Sequence, residues 1–212
     1  MGKHDVDTAR TIKFYDENAN DYIERTRDLD LSVQRNRFLS YLPGNSTILD
    51  VGCGSGRDIK EFSSMGYSVV GIDASHSLIE FARKYTKEKC LELSYDDISW
   101  VEEFDGIWAC ASLLHVKKLE MEKLLNRLCR ALKRGGVLYV SLREGEDEKV
   151  LPDGRYFSNY TSEEFFKIIE SGHCMRVIES WTTPDLSGDR PDITWLNFIV
   201  KRLEKTMNNY EA

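Results

Sequence analysis

The sequence predicts an α/β fold: a doubly wound, mostly parallel sheet with helices on both faces. Three observations carry this. An apolar run, Ile48-Leu49-Asp50-Val51, leads into glycines on alternate positions, Gly52, Gly54 and Gly56, and then into a helical pattern. A second apolar run, Val69-Val70-Gly71-Ile72, ends in Asp73, 23 residues after Asp50. Up to Leu142 the apolar periods alternate in the order β-α-β-α-β-β-α-β, with the polar, ligand-competent residues at the carboxyl ends of the strands. Open α/β sheets bind their ligands there.

Composition narrows the class. The 212 residues suit one domain with a full core, and the net charge of −7 opposes an extended nucleic-acid footprint. The five cysteines form no C-x-x-C pair and one is left over, which reads as reduced thiols in a cytoplasmic protein. No apolar run approaches the ~20 residues of a spanning helix, so no membrane segment is expected. The N-terminus, Met1-Gly2-Lys3-His4-Asp5, lacks a signal-peptide core. The four histidines share no ligand spacing, so no metal is expected.

Element by element, residues 8–27 read as one helix, with Ile12, Tyr15, Ala19, Tyr22 and Ile23 at helical spacing. It is either a docked amphipathic helix or a lid whose tyrosines and Arg25 face a ligand. A second helix, about 31–41, stops at Pro43-Gly44. The first strand is about 46–51. The glycines that follow let the backbone turn through positive φ and let a ligand lie close to the main chain. The helix over 57–65 offers unpaired N–H groups at its start. The spacing G-x-G-x-G departs from the dinucleotide pattern G-x-G-x-x-G, and Arg57 stands where its third glycine would fall. Arg57 reads as a helix-start residue salt-bridged at the surface or, as the alternative, a ligand contact. A carboxylate at Asp50 would repel a pyrophosphate and welcome an ammonium group, so the ligand carries an amino-acid end. Asp73, at the tip of the second strand, is placed to accept two ribose hydroxyls.

A helix over 76–87, a short strand at about 89–94 and the polar loop Ser94-Tyr95-Asp96-Asp97-Ile98 follow. The fourth strand is 104–109. In the helix over 117–132, Met121, Leu124, Leu125, Leu128, Cys129 and Leu132 mark a core face. Lys133-Arg134-Gly135-Gly136 ends that helix, and the fifth strand is 137–142. Residues 143–160 form a long polar loop with aromatics at its end, the kind of segment that often carries function. Thr161-Ser162-Glu163-Glu164 has the form of a capping box for a helix over 161–171. Strand-like runs at 174–183 and 193–202 close the domain, and the tail after about 204 is expected to fray.

These motifs resemble class I S-adenosylmethionine-dependent methyltransferases over about residues 10–202. The resemblance is carried by Leu49-Asp50-Val51-Gly52-Cys53-Gly54-Ser55-Gly56, Val70-Gly71-Ile72-Asp73-Ala74-Ser75, Phe104-Asp105-Gly106-Ile107-Trp108-Ala109, Leu113-Leu114-His115-Val116 and Leu132-Lys133-Arg134-Gly135-Gly136. The chain looks most like small bacterial enzymes grouped with tellurite-resistance or quinone methyltransferases. The resemblance implies a Rossmann-like, seven-stranded sheet with an antiparallel last strand. It also implies a single methyltransferase domain over 1–204, made of an N-terminal lid (8–42), a cofactor-binding core (46–142) and a substrate-side segment (143–202), with a tail at 205–212.

It implies S-adenosyl-L-methionine as cofactor. Asp50 and the Gly52, Cys53, Gly54 and Gly56 backbone would hold the methionine end, with Tyr22 of the lid nearby. Asp73 would take the ribose, and Ala74 would pack on the adenine. Alignment with the family places the adenine-edge contact at Ser94-Tyr95; without that alignment Asp96 or Asp97 is preferred. Ala109 and Cys110 would line the methionine pocket.

Methyl transfer from a sulfonium needs alignment and exclusion of water more than proton chemistry. If a base is used, the candidates are His115, Glu144 and Tyr156, with Tyr160 beside them. His115 reads equally as a packed, helix-start histidine. Arg143 would bind an acidic acceptor or pair with a loop carboxylate. Tyr156, Phe157 and Tyr160 would wall an aromatic substrate or form the underside of a lid. The leading expectation is transfer to an O, N or S atom of a small molecule. A tRNA nucleoside acceptor, served by Lys117, Lys118, Arg143, Arg155 and Arg190, and a non-catalytic cofactor-binding protein are the rivals.

Overall fold

The computed structural model describes residues 5–188 and 190–204. Three helices open the chain: α1 (Val6–Glu17), α2 (Ala19–Thr26) and α3 (Ser32–Leu39). Strand and helix then alternate through β1 (Thr47–Val51), α4 (Arg57–Ser64), β2 (Ser68–Asp73), α5 (His76–Thr86), β3 (Lys89–Glu92), β4 (Phe104–Ala109), α6 (Lys118–Ala131) and β5 (Leu132–Arg143). The chain ends with a hairpin, β6 (Glu148–Val150) and β7 (Tyr156–Ser158), then α7 (Ser162–Ser171), β8 (Met175–Pro184) and β9 (Thr194–Arg202).

Seven strands form one sheet in the order β3-β2-β1-β4-β5-β9-β8. All neighbours from β3 to β5 pair in parallel, and β9 runs antiparallel to both β5 and β8. The antiparallel last strand is therefore as expected. Alternation along each strand splits the core into two layers. Ile48 joins Phe38, Ile59, Phe62, Ile79 and Ala82 on the face covered by α3, α4 and α5. Leu49 and Val51 join Leu124, Leu128, Phe165 and Ile169 on the face covered by α6 and α7.

Two expectations need correction. The single helix over 8–27 is broken at Asn18, whose side-chain amide and backbone N–H both donate to the Phe14 carbonyl at 2.9 and 3.0 Å. Asparagine competes with the helix for backbone partners, and here it redirects the chain. The segment 143–160 is not a plain loop. Leu151 N–H donates to the Arg155 carbonyl across the Asp153-Gly154 turn, pairing β6 with β7. The strands are three residues each, too short for a periodic signal. The expected fraying tail, residues 205–212, lies outside the described residues.

One buried ionic cluster ties the layers to the glycine loop. Asp58, in the first turn of α4, accepts from Arg35 of α3 at 2.8 Å, from Arg57 at 2.6 Å and from the Trp108 indole of β4 at 3.0 Å. Its side chain is 5% exposed and that of Arg35 6%. Burial alone would raise the Asp58 pKa, but Arg57 and Arg35 outweigh it and hold the carboxyl below its usual range. A carboxyl lowered in the folded state contributes stability above its unfolded pKa of ~4, and that stability is lost as pH falls through the folded value. Removing one member of such a cluster strands the others. Asp58→Ala should therefore cost about 3–5 kcal/mol in urea denaturation at pH 7. The deficit should shrink below about pH 4.

Candidate active site

The glycine loop is shaped by close approach. Gly52, Gly54 and Gly56 all have positive φ, at 74°, 54° and 79°. A side chain at Gly52 would place its Cβ 2.4 Å from the Ser112 Cβ. At Gly54 the neighbour is the Tyr22 ring, 3.1 Å from the same notional atom, so α2 lies directly over the loop. Asp73 closes it from the side, accepting from Gly54 N–H at 3.0 Å and from Ser75 N–H at 2.9 Å, one on each carboxylate oxygen. Burial raises the Asp73 pKa, and these N–H groups oppose the rise. Each oxygen keeps a lone pair free for a ligand hydroxyl.

Two cavities open along the carboxyl ends of the strands. The first, about 240 Å³, runs from Gly52 and Asp73 past Ala74, Tyr95 and Asp96. Tyr95 donates to the Ser112 carbonyl at 2.9 Å, and Asp96 pairs with Arg127 at 2.8 Å. Ser112 lines this cavity, and its buried Oγ has no hydrogen-bond partner among the described residues. The second cavity, about 500 Å³, is walled by Arg57, Tyr139, Ser141, Arg143, Phe157 and Trp195, among others. Tyr15, Tyr22, Ala111 and His115 line both. Ala111 holds this position with φ of 51°, uncommon for a residue with a Cβ, and its N–H donates to Ser141 Oγ at 2.8 Å.

His115 is locked from two sides. Its Nδ1 lies 2.7 Å from the Tyr156 carbonyl, which can only accept, so Nδ1 carries the proton. Nε2 then accepts from the Tyr15 hydroxyl at 2.9 Å. Burial holds its pKa down at about 4, against the help of the Tyr156 carbonyl, and Arg155 and Arg143 push the same way.

The N-terminal helix is fastened over this seam by Tyr15 and by two further contacts. Thr11 Oγ1 accepts from Tyr156 N–H at 3.0 Å. Asp16 accepts from Ser75 Oγ at 2.6 Å and from Ser77 N–H at 3.0 Å at the start of α5.

The cavities thus gather Tyr22, Gly52, Asp73, Ala74, Tyr95, Asp96, His115 and Arg143 from the residues singled out in the sequence. Asp50, Cys53, Gly54, Gly56, Asp97 and Ala109 stand outside the lining. Asp50 is 3% exposed, and burial together with nearby Asp58 raises its pKa. Ala109 is wholly buried in β4, while Asp97 accepts from Ser94 Oγ at 2.8 Å.

Three of the acceptor-side choices fall away from the cavity, and strand parity is the reason. On β5, Tyr139, Ser141 and Arg143 face the cavity, so exposed Glu144 does not. On β7, Phe157 faces the cavity, and Tyr156 turns its hydroxyl to Glu148 instead. Tyr160 is fully buried against Phe165, with ring centroids 5.9 Å apart. Arg57 is no surface residue: it lines the second cavity, donating to Asp58 and to the Thr26 carbonyl at 3.2 Å. Ser112, Arg127 and Trp195 were not singled out. Ser112 and Arg127 sit on elements whose sequence signal is packing, and Trp195 enters only through the pairing of β9 with β5.

This arrangement defines an open α/β protein with a nucleoside-sized cavity at the switch in strand order and a second cavity joined to it. Residues 48–136 match the family described as the methyltransferase domain. The ubiquinone biosynthesis O-methyltransferase of Nitrobacter winogradskyi is 33% identical over 110 residues, 50% of this chain and 41% of that protein. The 2-methyl-6-phytyl-1,4-hydroquinone methyltransferase of a Synechocystis strain is 27% identical over 144 residues, 63% of this chain and 43% of that protein. The match thus spans about two fifths of those relatives. In structure, a Burkholderia thailandensis 1,6-didemethyltoxoflavin-N1-methyltransferase, solved with S-adenosylhomocysteine, superposes with a TM-score of 0.79. It is 17% identical, and the superposition covers 92% of this chain and 88% of that one. Residues 48–136 are thus similar to a methyltransferase domain, and the fold is that of S-adenosylmethionine-dependent methyltransferases.

The residues present fit that cofactor. Asp73 offers free lone pairs beside a glycine loop, Tyr95 and Ala74 offer a flat apolar wall, and the unpaired Ser112 Oγ lies in the same cavity.

The locked histidine gives a direct check. Nitrogen-detected NMR of His115 should show the neutral form protonated at Nδ1 and unchanged from pH 8 to pH 6. A titration midpoint near 6.5 would mean that the ring is solvated and not held by Tyr15.

Proposed function

We propose that this protein transfers a methyl group from S-adenosylmethionine to an O, N or S atom of a small-molecule acceptor held in the second cavity. The observation that carries this reading is the seam: two cavities of different character meet at Tyr15, Tyr22 and His115. When bound, S-adenosylmethionine supplies a methyl group on a sulfonium; the acceptor's lone pair forms the new bond as the carbon–sulfur bond breaks and its electron pair stays on sulfur.

The protein's own residues align and shelter that exchange. Asp73 takes the ribose hydroxyls, and Ala74, Tyr95 and Asp96 flank the adenine. The glycine-loop backbone, with Asp50 behind it and Tyr22 above it, takes the methionine end. The aromatic rings of Tyr15, Tyr22 and Phe157 keep water from the reacting atoms. His115, neutral at physiological pH, is assigned the positioning of Tyr15 and not the storage of a proton. The site therefore suits acceptors that ionise without a strong base.

The RNA reading gains no support. Lys117 pairs with Asp5 and Asp7, Lys118 with Glu164, Arg155 with Asp153 and Arg190 with Asp185, so these charges are compensated. Arg143 lines the cavity. No described helix is long and apolar enough to cross a membrane, and the five free cysteines favour a reducing, cytoplasmic setting.

Calorimetric titration with S-adenosylmethionine should show binding, and Asp73→Ala should weaken it by about 1–3 kcal/mol, the usual cost of unpairing buried polar groups. Tritiated-methyl transfer into fractionated extract should label the small-molecule fraction. Label in the RNA fraction, or binding without label, would overturn the acceptor or the catalytic reading respectively. The helical cover can be read separately: S-adenosylhomocysteine should protect residues 8–27 from limited proteolysis, and an unchanged cleavage pattern with ligand bound would remove the lid from the scheme.

A further inference from the structure

Resting on the methyl-transfer reading, we infer that the acceptor is an anionic aromatic molecule whose acid group is bound by Arg143. The charge pattern of the second cavity is the first reason. The chain has a net charge of −7, yet among the described residues Arg25, Arg57, Arg143, Arg155 and Arg190 line this one cavity against a single lining acid, Asp185. Asp185 is already committed. It pairs with Arg190 at 3.0 Å and accepts from the Trp195 indole at 2.9 Å and from Ser187 N–H at 3.0 Å. Arg57 and Arg155 have their own carboxylates, Asp58 and Asp153, each at 2.6 Å.

Arg143 differs from these. Among the described residues its side chain has no ion pair and no hydrogen bond, and its Nε is buried without a partner. A guanidinium presents five N–H donors in a planar fork that matches a carboxylate. Leaving its Nε buried and unpaired costs free energy that an anion in the cavity would recover. Burial, with Arg190 and Arg155 near, also lowers its pKa, the expected response of a cation awaiting a counter-charge.

The surroundings specify the rest of the ligand. The Arg143 guanidinium carbon lies 4.2 Å from the Phe157 ring centroid and 5.7 Å from that of Trp195. Phe157 in turn lies 4.7 Å from His115, centroid to centroid. One ring therefore spans from the unpaired cation to the seam. A flat ligand lying along Phe157 with its acid on Arg143 reaches the seam with its far edge. The aromatic walls favour π-systems, and the guanidinium fork favours a carboxylate over a neutral polar group.

The test uses the full-length protein saturated with S-adenosylhomocysteine. One- and two-ring aromatic carboxylates, such as benzoate, cinnamate and 2-naphthoate, are titrated beside their amides, with tryptophan fluorescence and ligand NMR as readouts. At least one acid should bind ten-fold or more tighter than its amide. Arg143→Gln should abolish that preference while leaving S-adenosylhomocysteine affinity within two-fold. Arg143→Lys, which keeps the charge and loses the fork, should restore part of it. If Arg143→Gln does not fold, the wild-type comparison and Arg143→Lys carry the test. The proposal is overturned if no acid outbinds its amide, whether both bind or neither does, or if the preference survives Arg143→Gln. Failure of the methyl-transfer reading would show independently, as absence of S-adenosylhomocysteine binding in the loading step.

Discussion

The buried carboxylate of Asp58 is the point on which the ligand-bearing end of this molecule depends. It is one residue past the start of α4, and it joins α3 through Arg35, β4 through the Trp108 indole, and the cavity wall through Arg57. A buried acid is unfavourable unless opposite charge and donors surround it, and here two arginines and an indole do so. The arrangement holds the start of α4 against the central strand. That start immediately follows Gly56, so the glycine loop is anchored from below. It also orients Arg57, whose remaining donors reach toward the Thr26 carbonyl at the end of α2. Fold stability, loop shape and the position of the helical cover thus share one electrostatic centre.

Charge is distributed unevenly in a second sense. This acidic protein sets five of its arginines around one concavity. Low-dielectric walls focus the field of such a group toward the opening and raise the local concentration of oppositely charged ligands. The first cavity is mixed in charge, with Asp5, Asp73, Asp96 and Glu120 beside Lys123 and Arg127.

Much of this was legible in the sequence where the signal is local. The glycine loop, Asp73 and the core face of α6 are patterns within a few residues, and each lies where expected. The seven-strand sheet followed from alternation plus the family resemblance. The acceptor side was harder, because it depends on strand parity and on long-range pairing. Tyr156 and Phe157 are both aromatic neighbours, and only the registration of β7 with β6 decides which one faces the cavity. Arg143 was placed there and Glu144 was not kept, for the same reason on β5. Trp195 arrives opposite Arg143 through an antiparallel pairing made some fifty residues later in the chain. Arg57 was read as a surface residue because nothing local reveals the carboxylate and carbonyl that draw it inward.

The fastening of α1 couples the two cavities. Tyr15 and Tyr22 border both cavities, and the helix that carries Tyr15 is tied to β7 through Thr11 and to α5 through Asp16. One helical cover therefore borders two cavities. A displacement of α1 that frees Tyr15 changes the walls of both cavities at once, and neither is reshaped alone.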